Sequence, residues 1–358
     1  MRSKLQLFQG QMVLEINGGE KSGSGTILRL AIALASILKD DLHIYNIRGK
    51  RSPPGLRPQH LEAVLTAAKL CNANVEGATL GSRELIFRPS EIAGGKMEAE
   101  IGTAGSIPML LLTILPICAF ARQAVTLRVK KGGTDVRNAP TINYLRHVFL
   151  PLLGRMGLKA SLTIHKYGYY PKGMGEVSLE VQPCHKLLPL RLDDFGKLDG
   201  FYGISVCTFL QEKRVAERQA KAAEEYLRGY GFSPEINILY DNSNPLQRGS
   251  SIVLWANTDK GALLGGDAIG ELGKPSEEVG REAAENIRKE LDAKATVDVH
   301  LADMLVPYVG LADEESIYLT RSITEHLHTN IWLTQKILGV KFHISKSGDL
   351  YRIEKRKC

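Results

Sequence analysis

The sequence predicts an α/β protein in which three β-α-β-α-β-β repeats are combined with a small inserted α/β domain. Two segments, around Gly25 and Gly105, share one order of features: a small-residue loop, an apolar helix, a polar break, a strand and a basic glycine turn. The C-terminal part repeats the alternation of helix and strand. Units that match in this way predict layers, with sheets on one side and helices on the other.

The first repeat begins with MRSKLQLFQGQMVLEING, in which apolar and polar residues alternate as they do in a strand. The apolar helix and the following strand come next, in GSGTILRLAIALASILKDDLHIYNIRGK. Residues 57–71 are predicted to form a second helix. Two alternating segments, 73–77 and 83–88, are predicted to close the unit as a strand pair.

The second repeat follows the same plan, with a second helix predicted at 141–156 and closing strands at 159–165 and 176–181. Its first helix lies in the apolar stretch from Ile107 to Phe120, which contains two prolines. That stretch is too short to span a bilayer, so it is predicted to be a buried helix.

The third repeat is predicted from the C-terminal pattern. Its elements are helices at 298–311 and 327–338 and strands at 316–320, 341–346 and 350–354.

The segment between the second and third repeats breaks this rhythm. It is predicted to contain strands at 201–208, 235–240 and 251–257 and a charged helix at 213–229. The predicted domains are therefore a catalytic repeat domain, residues 1–185 and 279–358, and a small inserted α/β domain, residues 186–278.

Composition limits the classes of function. Lysine and arginine number 46 against 39 acidic residues, which gives a net charge of +7, compatible with a polyanionic partner. The five cysteines are odd in number and lack C-x-x-C spacing, which argues against a disulfide framework or a cysteine zinc site. The N-terminus lacks the apolar core of a signal peptide. A cytoplasmic protein without a membrane segment is predicted.

Three glycine-rich loops predict a pocket for phosphates. They are NGGEKSGSGT (17–26), GTAGS (102–106) and KGGTD (131–135). Free backbone N–H groups and the helix dipole favour anions at such loops when a helix follows. None of them matches the P-loop spacing, so the prediction depends on their equivalent places in the repeats.

A denser signal lies in IRGKRSPPGLRPQH, residues 47–60, where cations crowd a proline-glycine turn and a Gln-His pair opens a helix. The residues concerned are Arg48, Lys50, Arg51, Arg57, Gln59 and His60. Arginine binds phosphate oxygens through two parallel hydrogen bonds, which favours a phosphate site. A basic surface turn is the alternative.

Two histidines, His326 and His328, occupy the corresponding helix start in the third repeat. A neutral imidazole at a helix N-terminus is a candidate nucleophile, and a structural histidine is the alternative. Asp303, in the preceding helix, is a candidate to hold a metal or orient an imidazole, or is a buried structural carboxylate.

Six motifs occur in order along the chain: RSPPGLRPQHLEAV, GTAGS, GGTD, GYYPKGMGEV, HLADML and EHLHTNI. Through them the sequence resembles the RNA 3′-terminal phosphate cyclase family over essentially its whole length. The resemblance implies three repeats like the C-terminal domain of translation initiation factor three, with a small inserted domain.

The resemblance also implies a reaction. A histidine captures AMP from ATP, AMP passes to an RNA 3′-phosphate, and the neighbouring 2′-hydroxyl expels AMP to leave a 2′,3′-cyclic phosphate. The implied partner is an RNA with a 3′-phosphate end. For the chain itself, a monomer or homodimer is predicted.

The family's site residues can be carried over by motif. Its nucleophile corresponds to His326 and not to His328. The predicted ATP- and phosphate-binding residues are Arg29, Arg48, Arg51, Gln59, His60, Gly105, His300 and Asp303. His300 stands where the cyclases commonly carry tyrosine, and Met304 where they carry glutamine.

The first loop departs most from the family pattern G-E-G-G-G-Q-I-L-R. Here it reads KSGSGTILR, with Ser22 at the position of the metal-binding glutamate and Thr26 at that of the glutamine. Glu20 is therefore predicted as the substitute ligand for a divalent metal, Mg²⁺ or Mn²⁺.

Two other functions compete with the cyclase. The altered loop suits a non-catalytic RNA-binding relative acting in ribosome assembly. A different transferase on a similar repeat fold, of the enolpyruvyl class, would bind a small anionic substrate and need no histidine nucleophile.

Overall fold

The computed structural model describes residues 6–8 and 11–356, which form a mixed α/β structure. The α/β class predicted from the sequence is confirmed. The helices are α1 (Gly25–Leu38), α2 (Pro58–Cys71), α3 (Ile107–Cys118), α4 (Ile142–Tyr144), α5 (Leu150–Arg155), α6 (Val215–Arg228), α7 (Ser276–Ala293), α8 (Val299–Leu311) and α9 (Glu325–Leu338).

The strands are short and form four sheets. They are β1 (Gln6–Phe8), β2 (Gln11–Asn17), β3 (Asp41–Tyr45), β4 (Asn74–Glu76), β5 (Leu85–Arg88), β6 (Gly95–Glu100), β7 (Val125–Gly132), β8 (Lys159–Lys166), β9 (Gly175–Gln182), β10 (Arg191–Leu192), β11 (Leu198–Thr208), β12 (Glu235–Asp241), β13 (Gly249–Thr258), β14 (Leu263–Ile269), β15 (Ser316–Thr320), β16 (Lys341–Ser347) and β17 (Leu350–Arg356).

Three of the sheets have the same connectivity. Their strand orders are β1-β2-β3-β5-β4, β6-β7-β9-β8 and β10-β15-β17-β16. Apart from the extra strand β1, each begins with two parallel strands, β2 with β3, β6 with β7 and β10 with β15. An antiparallel pair then completes each sheet. Right-handed helical crossovers are the usual way to join such parallel neighbours.

The fourth sheet, β12-β11-β13-β14, is covered by α6 and α7, which also pack against each other. The division into a repeat domain and an inserted domain at residues 186–278 stays a prediction. Two contacts favour a later start and a later end for the insertion: β10 pairs with β15, and α7, which extends to residue 293, packs on β13 and β14.

The helices of the three similar sheets pack together around α1, which contacts α2, α3 and α9, while α8 packs on α9. One buried apolar cluster runs through all of these helices. The predicted buried helix at Ile107 is α3, and most of its residues are buried. Within the described ranges no helix is long and apolar enough to cross a membrane. Because α1 lies at the centre, its first turn is close to the starts of its neighbours.

The predicted helix at 141–156 is interrupted by a π-helical turn at Leu145–Phe149 between α4 and α5. Pro151 follows that turn and has no N–H group to bond the carbonyl four residues earlier. The backbone instead makes a wider bond, from the Leu150 N–H to the Leu145 carbonyl.

Candidate active site

The starts of the central helices meet at a cavity of about 1760 Å³. Seven of the eight predicted phosphate-site residues line it, together with the predicted nucleophile: Arg29, Arg48, Arg51, Gln59, His60, His300, Asp303 and His326. Gly105 lies between two further lining residues, Ala104 and Ser106. The structure therefore brings these helix starts together. Which of these residues bind a ligand stays a prediction.

A polar side chain caps four of the helices that begin at the cavity, α1, α3, α8 and α9. Ser24 caps α1, and its hydroxyl accepts the Thr26 N–H. Ser106 caps α3 and Thr324 caps α9 in the same way. Asp298 caps α8 by accepting two backbone N–H groups. Capping residues and helix dipoles together make these ends favourable for negative charge.

The predicted nucleophile sits in the first turn of α9. His326 Nδ1 lies 3.3 Å from the hydroxyl of Thr26, in the first turn of α1. Arg29 Nη2 donates to the same hydroxyl at 3.2 Å. Burial, followed by the charges of Arg29 and Arg51, lowers the pKa of His326 from its ordinary value of 6.5. The imidazole is therefore neutral at pH 7, the form that can act as a nucleophile.

His328, in contrast, is exposed and does not line the cavity. The two histidines lie on different faces of α9, as a spacing of two residues in a helix requires. The structure thus separates the two candidates that spacing alone left open.

Four arginines lie at or beside this part of the cavity: Arg29, Arg48 and Arg51 line it, and Arg57 is close enough to Arg48 and His60 to lower their pKa values. No carboxylate of the described chain lies within 4.0 Å of any of their guanidinium groups. Burial and the neighbouring Arg48 lower the pKa of Arg29 to about 10. A group of cations without anionic partners stabilises a bound polyanion strongly.

Arg48 is positioned by its own loop. Its Nη1 donates to the carbonyls of Pro53 at 2.8 Å and Gly55 at 3.0 Å. Gly55 has a φ of +81°, and a Cβ there would lie 2.2 Å from the Gly81 carbonyl oxygen, so the turn requires glycine. The proline-glycine turn in the sequence therefore holds one arginine of the cluster in place.

The Gln-His pair at the start of α2 has two different environments. Gln59 Oε1 accepts the Ser106 N–H at 2.6 Å and so joins the start of α2 to the GTAGS loop. His60 is buried, and its Nδ1 has no partner within the described part of the chain. Burial, and then the charges of Arg29, Arg48 and Arg57, lower the pKa of His60 to about 2. His60 is thus neutral and able to donate or accept a hydrogen bond without adding charge.

Asp303 faces the start of α9 from α8. Its Oδ1 accepts the Thr324 hydroxyl at 2.6 Å, and its backbone carbonyl accepts Asn330 Nδ2 at 2.8 Å. Burial raises the pKa of this carboxyl to about 7. His300 is exposed at the start of α8, where its N–H is held by the Asp298 cap. Asp303 therefore links the helix that carries His326 to the helix that carries His300.

The first loop does not offer the ligands that a divalent metal prefers. Ser22, at the position of the family's glutamate, is buried, and its hydroxyl pairs with that of Ser24 at 3.0 Å. The Ser22 N–H donates to Thr329. Glu20 is exposed and does not line the cavity. The described residues contain no group of three or more His, Cys, Asp or Glu side chains arranged for a metal ion. Carboxylate oxygens are the usual protein ligands of Mg²⁺, so this donor set does not fit.

Several cavity residues were not singled out from the sequence as site residues. Thr26 was noted only as a departure from the family, and Asn330 only as part of a motif. Thr26 can be recognised as a partner of His326 only once α1 and α9 are known to be in contact. Asn330 lines the cavity with its Oδ1 unpartnered inside the described ranges. A loop at 169–171 and residues of the inserted segment, including Lys213 and Arg248, line another part of the cavity.

Residues 20–344 match the sequence profile of a family described as RNA 3′-terminal phosphate cyclase. Curated relatives with that name come from several organisms. A protein from Pyrobaculum neutrophilum is 43% identical over 96% of this chain and 98% of its own length. One from Methanopyrus kandleri is 41% identical over 96% and 99%. One from Pyrococcus furiosus is 42% identical over 92% and 94%.

Two solved structures show a weaker likeness. An EPSP synthase from Acinetobacter baumannii has a TM-score of 0.25 at 10% identity, covering 59% of this chain and 54% of its own. The enolpyruvyl transferase NikO from Streptomyces tendae has a TM-score of 0.26 at 10% identity, covering 97% and 66%. Values this low support no conclusion about fold or function.

Proposed function

The chain belongs to the RNA 3′-terminal phosphate cyclase family, and on that premise we propose that it converts an RNA 3′-phosphate to a 2′,3′-cyclic phosphate with ATP. The observation that carries the proposal is the placement of a neutral His326 beside arginines that have no carboxylate partner among the described residues. A nucleophile next to a polyphosphate site is what nucleotidyl transfer requires.

The first step is capture of AMP by His326. Since Nδ1 faces the Thr26 hydroxyl, Nε2 is the nitrogen left to react. Nε2 needs a free lone pair, so Nδ1 carries the proton. The Nδ1–H group donates a hydrogen bond to the Thr26 hydroxyl oxygen. The hydroxyl oxygen has two lone pairs and can accept from both Nδ1 and Arg29. Nε2 attacks the α-phosphorus, the bond from that phosphorus to the bridging oxygen breaks, and pyrophosphate leaves with the electron pair.

The next steps return the histidine and close the ring. An oxygen of the RNA 3′-phosphate attacks the captured AMP, and the P–N electron pair goes back to His326. The 2′-hydroxyl then attacks the terminal RNA phosphorus, loses its proton and expels AMP. A phosphate monoester is a poor electrophile, and adenylation supplies the leaving group. Because the 2′-hydroxyl is consumed, the substrate is RNA and not DNA.

The arginines and the α2 start have supporting roles in this scheme. Arg29, Arg48 and Arg51 balance the charge of the triphosphate and of the departing pyrophosphate. His60 and Gln59 border the same part of the cavity. No step is assigned to a divalent metal, because the donor set of the first loop does not fit one. The predictions that Glu20 binds Mg²⁺ or Mn²⁺ and that Gly105 borders the nucleotide stay predictions.

We further infer that the three similar sheets represent the family's repeats, which are like the C-terminal domain of translation initiation factor three. Their common strand order supports this. A cytoplasmic location and a monomeric or homodimeric state stay predictions.

The test uses ATP labelled at the α-phosphate with the purified chain, in separate reactions with magnesium, manganese and no added metal. We expect a covalent adduct that is acid-labile and alkali-stable, as a phosphoramidate is. His326→Ala should abolish it, whereas His328→Ala should keep most of it because that side chain is exposed outside the cavity. Equal loss in both variants would contradict the assignment of the nucleophile.

Transfer of the label to an RNA ending in a 3′-phosphate, followed by release of AMP and a cyclic end, completes the test. If no adduct forms under any of these conditions, the non-catalytic RNA-binding function becomes the better account of the altered first loop.

A further inference from the structure

One part of the cavity lining has no role in the scheme above. It consists of Tyr170, Pro171, Lys213, Gln247 and Arg248, and is referred to below as the loop wall. Two residues come from the loop that follows β8, and three come from the inserted segment. None of them is a residue that the family motifs assigned to ATP.

The loop wall is held in shape by contacts between its two parts. Asn244 is buried, and its Nδ2 donates to the carbonyls of Tyr167 at 2.7 Å and Gly173 at 3.1 Å. The Lys172 N–H donates to Gln247 Oε1 at 3.2 Å. Gly249 lies so close to Tyr169 that a Cβ would be 2.1 Å from its ring. The inserted segment is therefore locked onto the loop that presents Tyr170.

The side chains of this wall face solvent within the cavity. Tyr170 is 78% exposed, whereas its neighbour Tyr169 is 3% exposed. An exposed ring beside a buried one is available for stacking, since burial of a tyrosine ring is normally favourable. The ring of Tyr170 is thus a free apolar face at the rim of a site for a charged substrate.

The two cationic side chains of the loop wall, Lys213 and Arg248, have no ion-pair partner among the described residues. Arg137 and Lys274, which line a different part of the cavity, form ion pairs with Glu271 and Glu282. Lys213 and Arg248 are exposed, and no carboxylate of the described residues lies within ion-pair distance of either. The wall itself contains no acidic residue. It is therefore a positive surface with an aromatic ring.

We propose that the loop wall binds the single-stranded RNA segment that precedes the terminal phosphate. One base stacks on Tyr170, and the neighbouring backbone phosphates contact Arg248 and Lys213. The combination of an aromatic platform with a cationic groove is how proteins bind single strands without reading their sequence. This inference rests on the proposed function, because it identifies where the substrate of that reaction lies.

The size of the cavity supports the proposal. Pockets for single small ligands have volumes of roughly 300–1,000 Å³, and this cavity is larger at about 1760 Å³. It has room for a nucleotide at the arginines and for further nucleotides along the wall. An RNA whose 3′ end reaches His326 must leave the cavity past some part of its lining. Beyond the arginines of the ATP site, the loop wall offers cations without a carboxylate partner among the described residues.

The experiment measures binding of a fluorescent single-stranded RNA of ten nucleotides with a 3′-phosphate, by anisotropy and without ATP. Stacking of one base on an aromatic ring is worth about a tenfold change in affinity. Tyr170→Ala should weaken binding by about that factor, and Tyr170→Phe should restore it because the ring remains. Tyr230→Ala is the matched control, since Tyr230 is 52% exposed but does not line the cavity.

A second measurement tests the phosphate contacts. Arg248→Gln should weaken binding and reduce the slope of log affinity against log salt by about 0.7, the value for one phosphate contact on a single strand. A mononucleotide 3′-phosphate does not reach the wall. Its own affinity is measured by competition with the labelled RNA and corrected for the RNA affinity of each variant. That affinity should be the same in all the wall variants.

The inference fails if Tyr170→Ala and Arg248→Gln bind the ten-nucleotide RNA as tightly as the unaltered chain. It also fails if Tyr230→Ala weakens binding as much as Tyr170→Ala. AMP labelling of the unaltered chain is measured separately. Its absence would remove the cyclase function, while the binding comparison would still decide whether the wall contacts RNA.

Discussion

The hydrogen bond between Thr26 and His326 is the residue-level feature on which the chemistry depends. A neutral imidazole has one nitrogen with a proton and one with a lone pair, and the partner of Nδ1 decides which is which. Arg29 can only donate, so it occupies one lone pair of the Thr26 oxygen. The family has glutamine at this position, so this chain holds its histidine with a shorter side chain.

Thr26 is therefore expected to be a positioning residue for His326. Thr26→Val keeps the shape of the side chain but removes the hydroxyl, so the ring loses its partner and its preferred tautomer. We expect the rate of His326 adenylation at saturating ATP to fall about tenfold to a hundredfold, with little change in the ATP concentration for half-maximal rate. Single-turnover labelling with α-labelled ATP measures both quantities.

Thr26→Ser is the matched variant, because it restores the hydroxyl and should recover most of the rate. The melting temperatures of the two variants should be similar to that of the unaltered chain. If Ser and Val variants label equally fast, or if only the ATP dependence changes, Thr26 does not act through the histidine.

At the level of elements, the helix starts form the site because small residues let them approach. Gly25 begins α1 and is buried between two functional side chains. A Cβ at Gly25 would lie 2.2 Å from His60 Nε2 and 2.9 Å from Arg29 Nη1. The first turn of α1 thus touches the start of α2 on one side and His326 of α9 on the other, through Thr26.

Gly25→Ala is expected to displace His60 and Arg29 without unfolding α1, since alanine favours a helix over glycine by about 1 kcal/mol. AMP labelling should fall by about tenfold or more. Gly154→Ala in α5 is the control, because a Cβ there meets nothing within 4 Å. That variant should label normally and unfold at the same or a higher temperature. Normal labelling by Gly25→Ala would show that the close packing at this turn is not needed.

Sequence pattern was sufficient for most elements and insufficient where packing or single residues decide. The apolar periods placed α1, α3 and α8 and the alternating strands close to their observed bounds. The first strand of the third sheet, β10, has only two residues and pairs with β15, which is more than 120 residues away in the sequence. A strand this short has no alternating pattern by which the sequence could predict it. The π-helical turn before α5 depends on one proline.

The site shows the same division. Motifs predicted His326 and the arginines as site residues, and the structure places them at one cavity. They did not predict roles for Thr26 or Tyr170. The roles proposed for these two residues depend on contacts between elements that are distant in the sequence. The first loop departs from the family pattern quoted above, and there the hydroxyls of Ser22 and Ser24 pair with each other.

For the whole molecule, the net charge of +7 is distributed unevenly. Several arginines and lysines of the described residues have carboxylate partners, as Arg122 does with Glu91. Arg29, Arg48, Arg51 and Arg57 have none among those residues, and they repel one another: burial and then Arg57 and Arg51 lower the pKa of Arg48. Like charges within a Debye length of about 10 Å at 0.1 M salt are incompletely screened. The free protein therefore carries an electrostatic cost that a polyanion removes.

This predicts that one cavity arginine has opposite effects on the free and the bound protein. Arg51 has no carboxylate partner among the described residues, so Arg51→Gln should leave the melting temperature of the free protein in low salt unchanged or higher. Inorganic tripolyphosphate at 100 times its dissociation constant should stabilise the unaltered chain by about 2.7 kcal/mol. The shift should be clearly smaller for Arg51→Gln at the same concentration, because a phosphate contact is lost.

Arg122→Gln removes an exposed arginine that is already paired, so it should keep the full shift. Calorimetry at matched ionic strength separates specific binding from screening, since the charges of both proteins are then screened to the same degree. A lower melting temperature for free Arg51→Gln, with an undiminished stabilisation by tripolyphosphate, would contradict this prediction. It would mean that Arg51 stabilises the fold and does not contact the bound anion.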